Sequence, residues 1–137
     1  MSEYDGVVRI ILEHYPAAQG IYLFGSFGTD YEWPDSDVDI ALLLPPDESK
    51  RTEHLALSRA RLALEGLLGK DVDLINLRQV STVFQKEITM AERRIFCADA
   101  YAADEFEMLV ISLYQKLNEE RAEVLAEGLR SGRFYNV

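Results

Sequence analysis

The sequence predicts a single α+β domain in which helices flank a small mixed β-sheet. The chain has 137 residues, close to the commonest size of one domain. Helix-like and strand-like hydrophobic patterns follow one another in the order helix, strand, strand, helix, strand, helix, strand, helix. No internal repeat, low-complexity stretch or linker interrupts this series, so residues 1–137 are expected to form one domain.

The first third of the chain contains one predicted helix and two predicted strands. Apolar residues recur at helical spacing up to Pro16, and Ser2 is expected to cap this helix. The run IYLF, residues 21–24, predicts a buried strand. Residues 37–44 (DVDIALLL) predict a second strand, which ends at two prolines that cannot donate to a ladder. The connection between the strands is therefore held at both ends by rigid backbone.

The middle of the chain alternates again between helix and strand. A charged segment from Asp47 leads into a leucine-rich pattern, and together they predict one helix that Gly69 ends. Residues 71–77 predict the third strand. Ser81 is expected to cap a further helix that runs to about Arg93.

Two elements are predicted to close the domain. Residues 94–98 (RIFCA) predict a short strand in which Cys97 packs in the core. A helical pattern follows over about residues 104–130. Its first half is expected to fill the domain's own core, through Phe106, Leu109, Val110, Leu113 and Leu117. Its second half outruns so small a domain and predicts a partner surface made of Val124, Leu125, Leu129, Phe134 and Tyr135.

Composition narrows the classes of function. The chain has 14 basic and 24 acidic residues, a net charge of -10, which disfavours direct binding of nucleic acid because phosphate neutralisation supplies most of that affinity. A nucleotide escorted by a divalent cation, a partner with a basic surface, or plain solubility all fit this charge. No apolar run approaches the roughly 20 residues of a membrane helix. The single cysteine and the absence of a visible secretory signal predict a cytoplasmic protein.

A small set of polar residues carries the predicted chemistry. Residues two apart in a strand share one face about 6.5 Å apart, so Asp37 and Asp39 are placed to hold divalent metal. Asp73 is the predicted third carboxylate, because a charge among strand hydrophobes is costly to bury without a partner. Gly25 lets backbone approach a phosphate, and Ser26 offers an N–H and a hydroxyl. Each motif alone is a weak signal, but their conjunction favours a metal-assisted nucleotide site.

The segment GSFGTDYEWPDSDVDI, residues 25–40, resembles the GS-x10-D-x-D signature of the DNA polymerase β-like nucleotidyltransferase superfamily. The short chain is similar to the minimal nucleotidyltransferases, and most of all to the antitoxin half of HEPN/MNT toxin–antitoxin pairs. The resemblance extends over nearly the whole chain, and VDLINL, residues 72–77, matches the strand that carries the third carboxylate. The signature is specific, whereas the C-terminal part of the match is much less so.

This resemblance implies a nucleotidyltransferase fold, Mg²⁺ bound by Asp37, Asp39 and Asp73, and ATP phosphates held by Gly25 and Ser26. The implied reaction transfers AMP from ATP to a hydroxyl and releases pyrophosphate, with Asp73 helping to activate the acceptor. The implied acceptor is a tyrosine on a partner HEPN ribonuclease toxin encoded by the adjacent gene. A hetero-oligomeric complex of the two proteins fits the acidic charge.

The chain departs from the family pattern just after the signature's aromatic residue. Many members have Ala-Arg-Gly there, whereas residues 28–30 are Gly-Thr-Asp. If the arginine usually steadies the triphosphate, its role in this chain is either unfilled or moved, with Arg51 or Arg59 on the following helix as the candidates. Trp33 is expected to anchor the connection to the domain, with stacking on a nucleotide base as the alternative.

Three functions stay open at the level of the sequence. The first is a protein adenylyltransferase, and the second is a non-catalytic antitoxin that neutralises its toxin by binding and occlusion. The third is a nucleotidyltransferase acting on a small molecule such as an aminoglycoside. The enzyme is favoured over occlusion because occlusion gives no reason to keep all five site residues together. No additional domain that would build a small-molecule cleft is visible.

Overall fold

A computed structural model describes residues 4–52 and 58–131, with side chains described up to residue 128. It contains a four-stranded sheet with helices on both faces. In chain order the elements are α1 (Asp5–His14), β1 (Gly20–Phe24), β2 (Val38–Leu43), α2 (Pro46–Arg51), α3 (Arg59–Leu68), β3 (Val72–Asn76), α4 (Thr82–Met90), β4 (Arg94–Cys97) and α5 (Ala100–Ser131), with a 3₁₀ turn (Leu77–Gln79) before α4. The predicted α+β class, the mixed sheet and the long C-terminal helix are confirmed.

The sheet has the strand order β3-β2-β1-β4. β1 pairs antiparallel with β2 and with β4, whereas β2 and β3 are parallel. The sheet therefore has two different ends. We call the end of the sheet that carries Asp39 and Asp73 the carboxylate end; here β1 finishes at Phe24, and β2 and β3 begin at Val38 and Val72. At the opposite end β1 begins at Gly20, and β2 and β3 finish at Leu43 and Asn76.

Each face of the sheet buries its own hydrophobic cluster. Val38, Ile40 and Leu42 point to the face covered by α1 and α3. Their neighbours Ala41 and Leu43 point to the face covered by α4 and α5. Burying such an aliphatic side chain contributes roughly 1.5–3 kcal/mol relative to leaving it exposed. Because strand side chains alternate, the odd-numbered residues of β2 share the α4/α5 face.

The helix ends follow from local sequence. Ser81 Oγ accepts the N–H of Phe84 at 3.2 Å, which confirms Ser81 as the cap of α4. Gly69 ends α3 in the left-handed conformation, with φ of 66°, as predicted. Ser2 lies outside the described residues.

The prediction of one helix from Asp47 to Gly69 is wrong. α2 ends at Arg51, Thr52 is extended, and Ser58 caps a new helix by accepting the N–H of Arg61 at 3.3 Å. The buried Ser49 hydroxyl donates to Asn76 Oδ1 at 2.8 Å and ties α2 to the opposite end of the sheet. The leucines predicted between these helices lie outside the described residues.

Two further predictions about burial are wrong. Cys97 is exposed, because it ends β4, which lies at the edge of the sheet formed by the described residues and pairs there with β1. In α5, Phe106 and Val110 are buried, but Leu109 and Leu113 are 52% and 42% exposed. The helix packs through one narrow stripe, and its other sides face solvent. None of the helices among the described residues is long and apolar enough to span a membrane.

Candidate active site

Two of the three predicted carboxylates are brought together by the parallel pairing of β2 and β3. Asp39 and Asp73 are each the second residue of their strand and are Cα partners in the register. Neighbouring strands lie about 4.8 Å apart, so the two side chains are adjacent on the α4/α5 face. At this end of the sheet that face is open enough to leave Asp39 half-buried and Asp73 exposed.

The third predicted carboxylate, Asp37, lies just outside the strand. β2 begins at Val38, whose N–H donates to the carbonyl oxygen of Asp71 at 2.9 Å, and Asp37 is exposed. The prediction that β2 begins at Asp37 is therefore wrong by one residue. Asp37 still acts on Asp39, because its charge contributes to the raised pKa of that carboxyl.

Gly25 and Asp39 are in direct contact. Gly25 follows the last residue of β1, Phe24, which pairs with Asp39. Its φ is +73°, and a Cβ placed on it would overlap the Oδ2 atom of Asp39. Only glycine fits both the backbone conformation and the space. The Gly-Ser turn and the Asp39 carboxylate therefore form one compact unit.

The three carboxylates, Asp37, Asp39 and Asp73, form no ion pair with the residues that the structure describes. Burial raises the pKa of Asp39, and the charges of Asp73 and then Asp37 raise it further. A cation placed between these groups would remove that repulsion.

The donor set fits a hard divalent cation that arrives with its nucleotide. Among the described residues, no three His, Cys, Asp or Glu side chains are close enough together to enclose a metal ion unaided. Mg²⁺ does not need such a cage, because it prefers oxygen ligands and commonly takes one or two carboxylates together with substrate phosphates and water. Asp37, Asp39 and Asp73 supply oxygen ligands of this kind.

The turn after β1 is closed by its own hydrogen bonds. The N–H and the hydroxyl of Thr29 both donate to the carbonyl oxygen of Ser26, at 3.0 and 2.6 Å. Gly28 has φ of +76°, and its N–H donates to Glu32 Oε1 at 2.6 Å. Gly25 and Ser26 thus sit at the start of an ordered turn beside Asp39.

The basic side chain at this turn is Arg93, which the sequence reasoning missed. Its Nη1 donates to the carbonyl oxygen of Gly25 at 3.1 Å, and its Nη2 donates to that of Phe27. Arg93 immediately precedes β4, and its carbonyl oxygen accepts the N–H of Leu23 at 2.9 Å. The pairing of β4 with β1 was the signal that would have placed Arg93 next to the residues that follow β1.

Arg51 and Arg59, the predicted replacements, lie elsewhere. α2, which Arg51 ends, follows the finish of β2 at the opposite end of the sheet. Arg59 begins α3, a helix of 10 residues and so about 15 Å long that returns to the start of β3. Both arginines therefore lie away from the turn, and neither is placed beside it to take the role of the missing basic residue.

The connection between β1 and β2 is held by backbone contacts, not by its tryptophan. Trp33 is 72% exposed, so its predicted anchoring role is wrong. Lys70 instead donates to the carbonyl oxygens of Trp33 and Pro34, at 3.2 and 3.3 Å, and lies 3.7 Å from Glu32. The indole ring is left free to contact another molecule.

Residues 8–101 match the family described as "Polymerase beta, Nucleotidyltransferase", and this stretch contains all five predicted site residues. The chain belongs to this nucleotidyltransferase family. Within it the chain is MntA-like. It is 30% identical to the protein adenylyltransferase MntA of Shewanella oneidensis over 120 residues, which cover 87% of this chain and 82% of that protein.

Solved structures show the same likeness. A chain of the crystal structure of a toxin–antitoxin with AMP-PNP superposes with a TM-score of 0.74 at 26% identity, covering 93% of this chain and 99% of that one. A chain from the complex of tri-AMPylated Shewanella oneidensis HEPN toxin with MNT antitoxin gives a TM-score of 0.67 at 27% identity, covering 90% and 92%. The nucleotidyltransferase fold predicted from the signature is confirmed.

Proposed function

We propose that this protein is an antitoxin that transfers AMP from ATP to a tyrosine hydroxyl of a partner HEPN ribonuclease toxin, in a reaction that requires Mg²⁺. The observation that carries this proposal is the pairing of Asp39 with Asp73 directly beside the Gly25 turn. Membership of the nucleotidyltransferase family and the likeness to a protein adenylyltransferase support it.

Each site residue has a role that follows from its position. Asp37, Asp39 and Asp73 would hold Mg²⁺, which when bound offsets phosphate charge and polarises the phosphoryl group under attack. Gly25 exposes backbone to which a phosphate can come close, and Ser26 adds an N–H and a hydroxyl as donors. Because Asp39 touches the turn, phosphates bound by Gly25 and Ser26 would lie beside the carboxylates.

The proposed transfer is a substitution at the α-phosphorus of ATP. The acceptor oxygen forms a bond to that phosphorus, the bond from the phosphorus to the bridging oxygen of the β-phosphate breaks, and pyrophosphate leaves. The proton of the acceptor hydroxyl passes to a carboxylate and then to water. Asp73 suits this step because it is exposed, whereas Asp39 is packed against Gly25.

The second half of α5 is the proposed partner surface. Val124 and Leu125 are 67% and 47% exposed, as expected for apolar residues that wait for another chain. The side chain of Leu129 and the residues Phe134 and Tyr135 lie outside the described part of the chain. A net charge of -10 suits a toxin with a basic surface.

The same exposed apolar residues would serve an antitoxin that acts by occlusion, so catalysis and binding must be separated by experiment. The toxin gene is co-expressed with the wild type, with Asp37→Ala/Asp39→Ala, or with Asp71→Ala as a control that removes a nearby exposed carboxylate. We expect growth to be restored by the wild type and by Asp71→Ala only. The double variant should still bind the toxin in a pull-down.

Neutralisation by the double variant at the wild-type level would establish occlusion in place of AMP transfer. A wild type that neutralises the toxin but leaves it free of AMP would lead to the same conclusion. AMP found on a small molecule and not on the toxin would support the third function.

A further inference from the structure

We propose that Arg93 is a positioning residue of the nucleotide site: its guanidinium fixes the turn of residues 25–28 in the shape that receives a triphosphate. This inference rests on the proposed function, because the triphosphate is that of ATP. It assigns to Arg93 a role that neither the signature nor the three carboxylates supply.

The guanidinium of Arg93 contacts two carbonyl oxygens of the turn at once. The guanidinium spans the turn, with Nη1 on the carbonyl oxygen of Gly25 at 3.1 Å and Nη2 on that of Phe27. These residues are 68 and 66 positions away in the sequence, so the contact is made by the fold and not by local chain geometry. A planar fork of donors is the side chain that can hold two carbonyl oxygens at once.

The backbone of the turn contains two glycines in conformations that other residues rarely adopt. Gly25 and Gly28 both have positive φ, +73° and +76°. Glycine is flexible in this region, so a contact from outside the turn adds to the turn's own hydrogen bonds in fixing its shape. Gly28 is tightly packed as well, because a Cβ placed there would lie 3.0 Å from Arg93 Nη2 and 2.6 Å from Tyr4 Oη.

The backbone before Arg93 has an unusual conformation that places this residue at the turn. Glu92 has φ of +55°, a conformation that few residues other than glycine adopt and that has an energetic cost. This bend separates α4 from β4 and sets Arg93 against the end of β1, where its carbonyl oxygen accepts the N–H of Leu23 at 2.9 Å. The strained residue thus directly precedes the residue that holds the turn.

The positive charge of Arg93 suits an anionic ligand at the turn. The guanidinium offsets the partial negative charge of the two carbonyl oxygens that it binds, and the cation itself attracts phosphate. The neighbouring Arg94 is already engaged, with Asp104 at 3.1 Å and Glu107 at 2.7 Å. Arg93 has no such carboxylate partner among the described residues, so its charge is left to act on the turn and on whatever binds there.

The test measures binding of ATP and of inorganic tripolyphosphate in Mg²⁺ by calorimetry. The proteins are the wild type, Arg93→Ala, Arg93→Lys and the control Arg59→Ala, which removes one exposed arginine far from the turn. We expect Arg93→Ala to weaken both ligands by about tenfold, the effect of losing a charged hydrogen bond. Arg93→Lys should recover only part of this loss, because an ammonium keeps the charge but cannot span two carbonyls. Arg59→Ala should bind like the wild type.

Two further measurements separate positioning from a general loss of structure. In steady-state AMP transfer, Arg93→Ala should raise the KM for ATP about tenfold and change kcat by less than about threefold. Hydrogen exchange of the amides at residues 25–28 should become faster in Arg93→Ala while exchange in the sheet is unchanged. If Arg93→Ala fails to fold, Arg93→Lys serves as the test variant: it keeps the charge but cannot span both carbonyl oxygens, and it should still bind tripolyphosphate more weakly than the wild type.

The possible outcomes distinguish the two proposals. If the wild type transfers AMP and Arg93→Ala binds ATP and tripolyphosphate like the wild type, the role of Arg93 is disproved and the proposed function stands. If Arg93 is needed for tripolyphosphate but the wild type transfers no AMP, the proposed function fails and the role of Arg93 stands. A wild type that binds neither ligand overturns both.

Discussion

The two ends of the sheet treat polar groups in opposite ways. At the end where β2 and β3 finish, Asn76 forms hydrogen bonds with α2 and with Thr52, which follows it. Its Oδ1 accepts from Ser49 Oγ at 2.8 Å, and its Nδ2 donates to the carbonyl oxygens of Ser49 and Thr52 at 3.0 and 3.3 Å. At the carboxylate end, Asp39 and Asp73 lie side by side with no cation among the described residues to compensate them.

This difference separates polar groups that build the fold from polar groups that await a ligand. A closed network such as that of Ser49 and Asn76 stabilises the folded state because its buried donors and acceptors are paired. A cluster of like charges destabilises the folded state and persists where another molecule supplies the missing partner. Replacing residues at one end should therefore change stability, and at the other end activity.

The largest expected effect is that of Gly25→Ala. Its new methyl group would overlap Asp39 Oδ2 in a backbone conformation with φ of +73°, so either the turn or the carboxylate must move. We expect AMP transfer to fall at least about 100-fold, as a misplacement near 1 Å in an active site can cost.

The matched control is Gly66→Ala in α3, where a Cβ would meet nothing within 4 Å. It should keep full activity and gain up to about 1 kcal/mol in stability from its helix propensity. Equal activity of the two variants would show that the Gly25 turn is not part of the site.

The next effect, on stability, is expected from Asn76→Ala at the opposite end. The substitution removes the hydrogen bonds from Asn76 to Ser49 and Thr52 and leaves Ser49 Oγ with its contact from Gln79 Nε2, and we expect the free energy of unfolding to fall by about 2 kcal/mol. Urea denaturation measures it, and the folded fraction should keep wild-type AMP transfer per molecule. A large loss of activity in folded protein would show that the two ends are not separate.

The smallest effect is expected from Asp39→Asn without divalent cation. The pKa of Asp39 is raised in the folded state, so the ionised carboxylate opposes folding at neutral pH. Asp39→Asn should therefore have a higher melting temperature than the wild type at pH 7. Its free energy of unfolding should be larger by less than about 1 kcal/mol, because the group is partly exposed.

Lowering the pH provides the check on sign. As pH falls through the folded-state pKa of Asp39, the wild type becomes protonated and the advantage of Asp39→Asn should shrink. Mg²⁺ with an ATP analogue should reverse the order at pH 7, because only the wild type keeps the full ligand set. A lower melting temperature of Asp39→Asn at pH 7 without cation would contradict the electrostatic account.

Local patterns were sufficient to predict the parts of the fold that depend on neighbours in sequence. The strands around residues 21–24 and 72–76, the cap at Ser81 and the stop at Gly69 all follow from hydrophobic period or backbone chemistry. The contact between Gly25 and Asp39 was not predicted, although both residues were, because it depends on how β1 pairs with β2.

The errors share a tertiary origin. Arg93 reaches the turn across 66 to 68 residues, which no local pattern encodes. α2 is held against the end of β3 by a hydrogen bond from Ser49 to Asn76, 27 residues away. The exposure of Cys97 depends on β4 being an edge strand, and that is decided by the order of the strands in the sheet.

Transfer of AMP to the partner is measured most directly with ATP that carries a label on its α-phosphate. The purified protein, Mg²⁺ and the product of the adjacent gene are combined, and both chains are examined by mass spectrometry. We expect AMP on a tyrosine of the partner with the wild type, and none with Asp37→Ala/Asp39→Ala. A partner that stays unlabelled with the wild type, or that is labelled equally by the double variant, would contradict it.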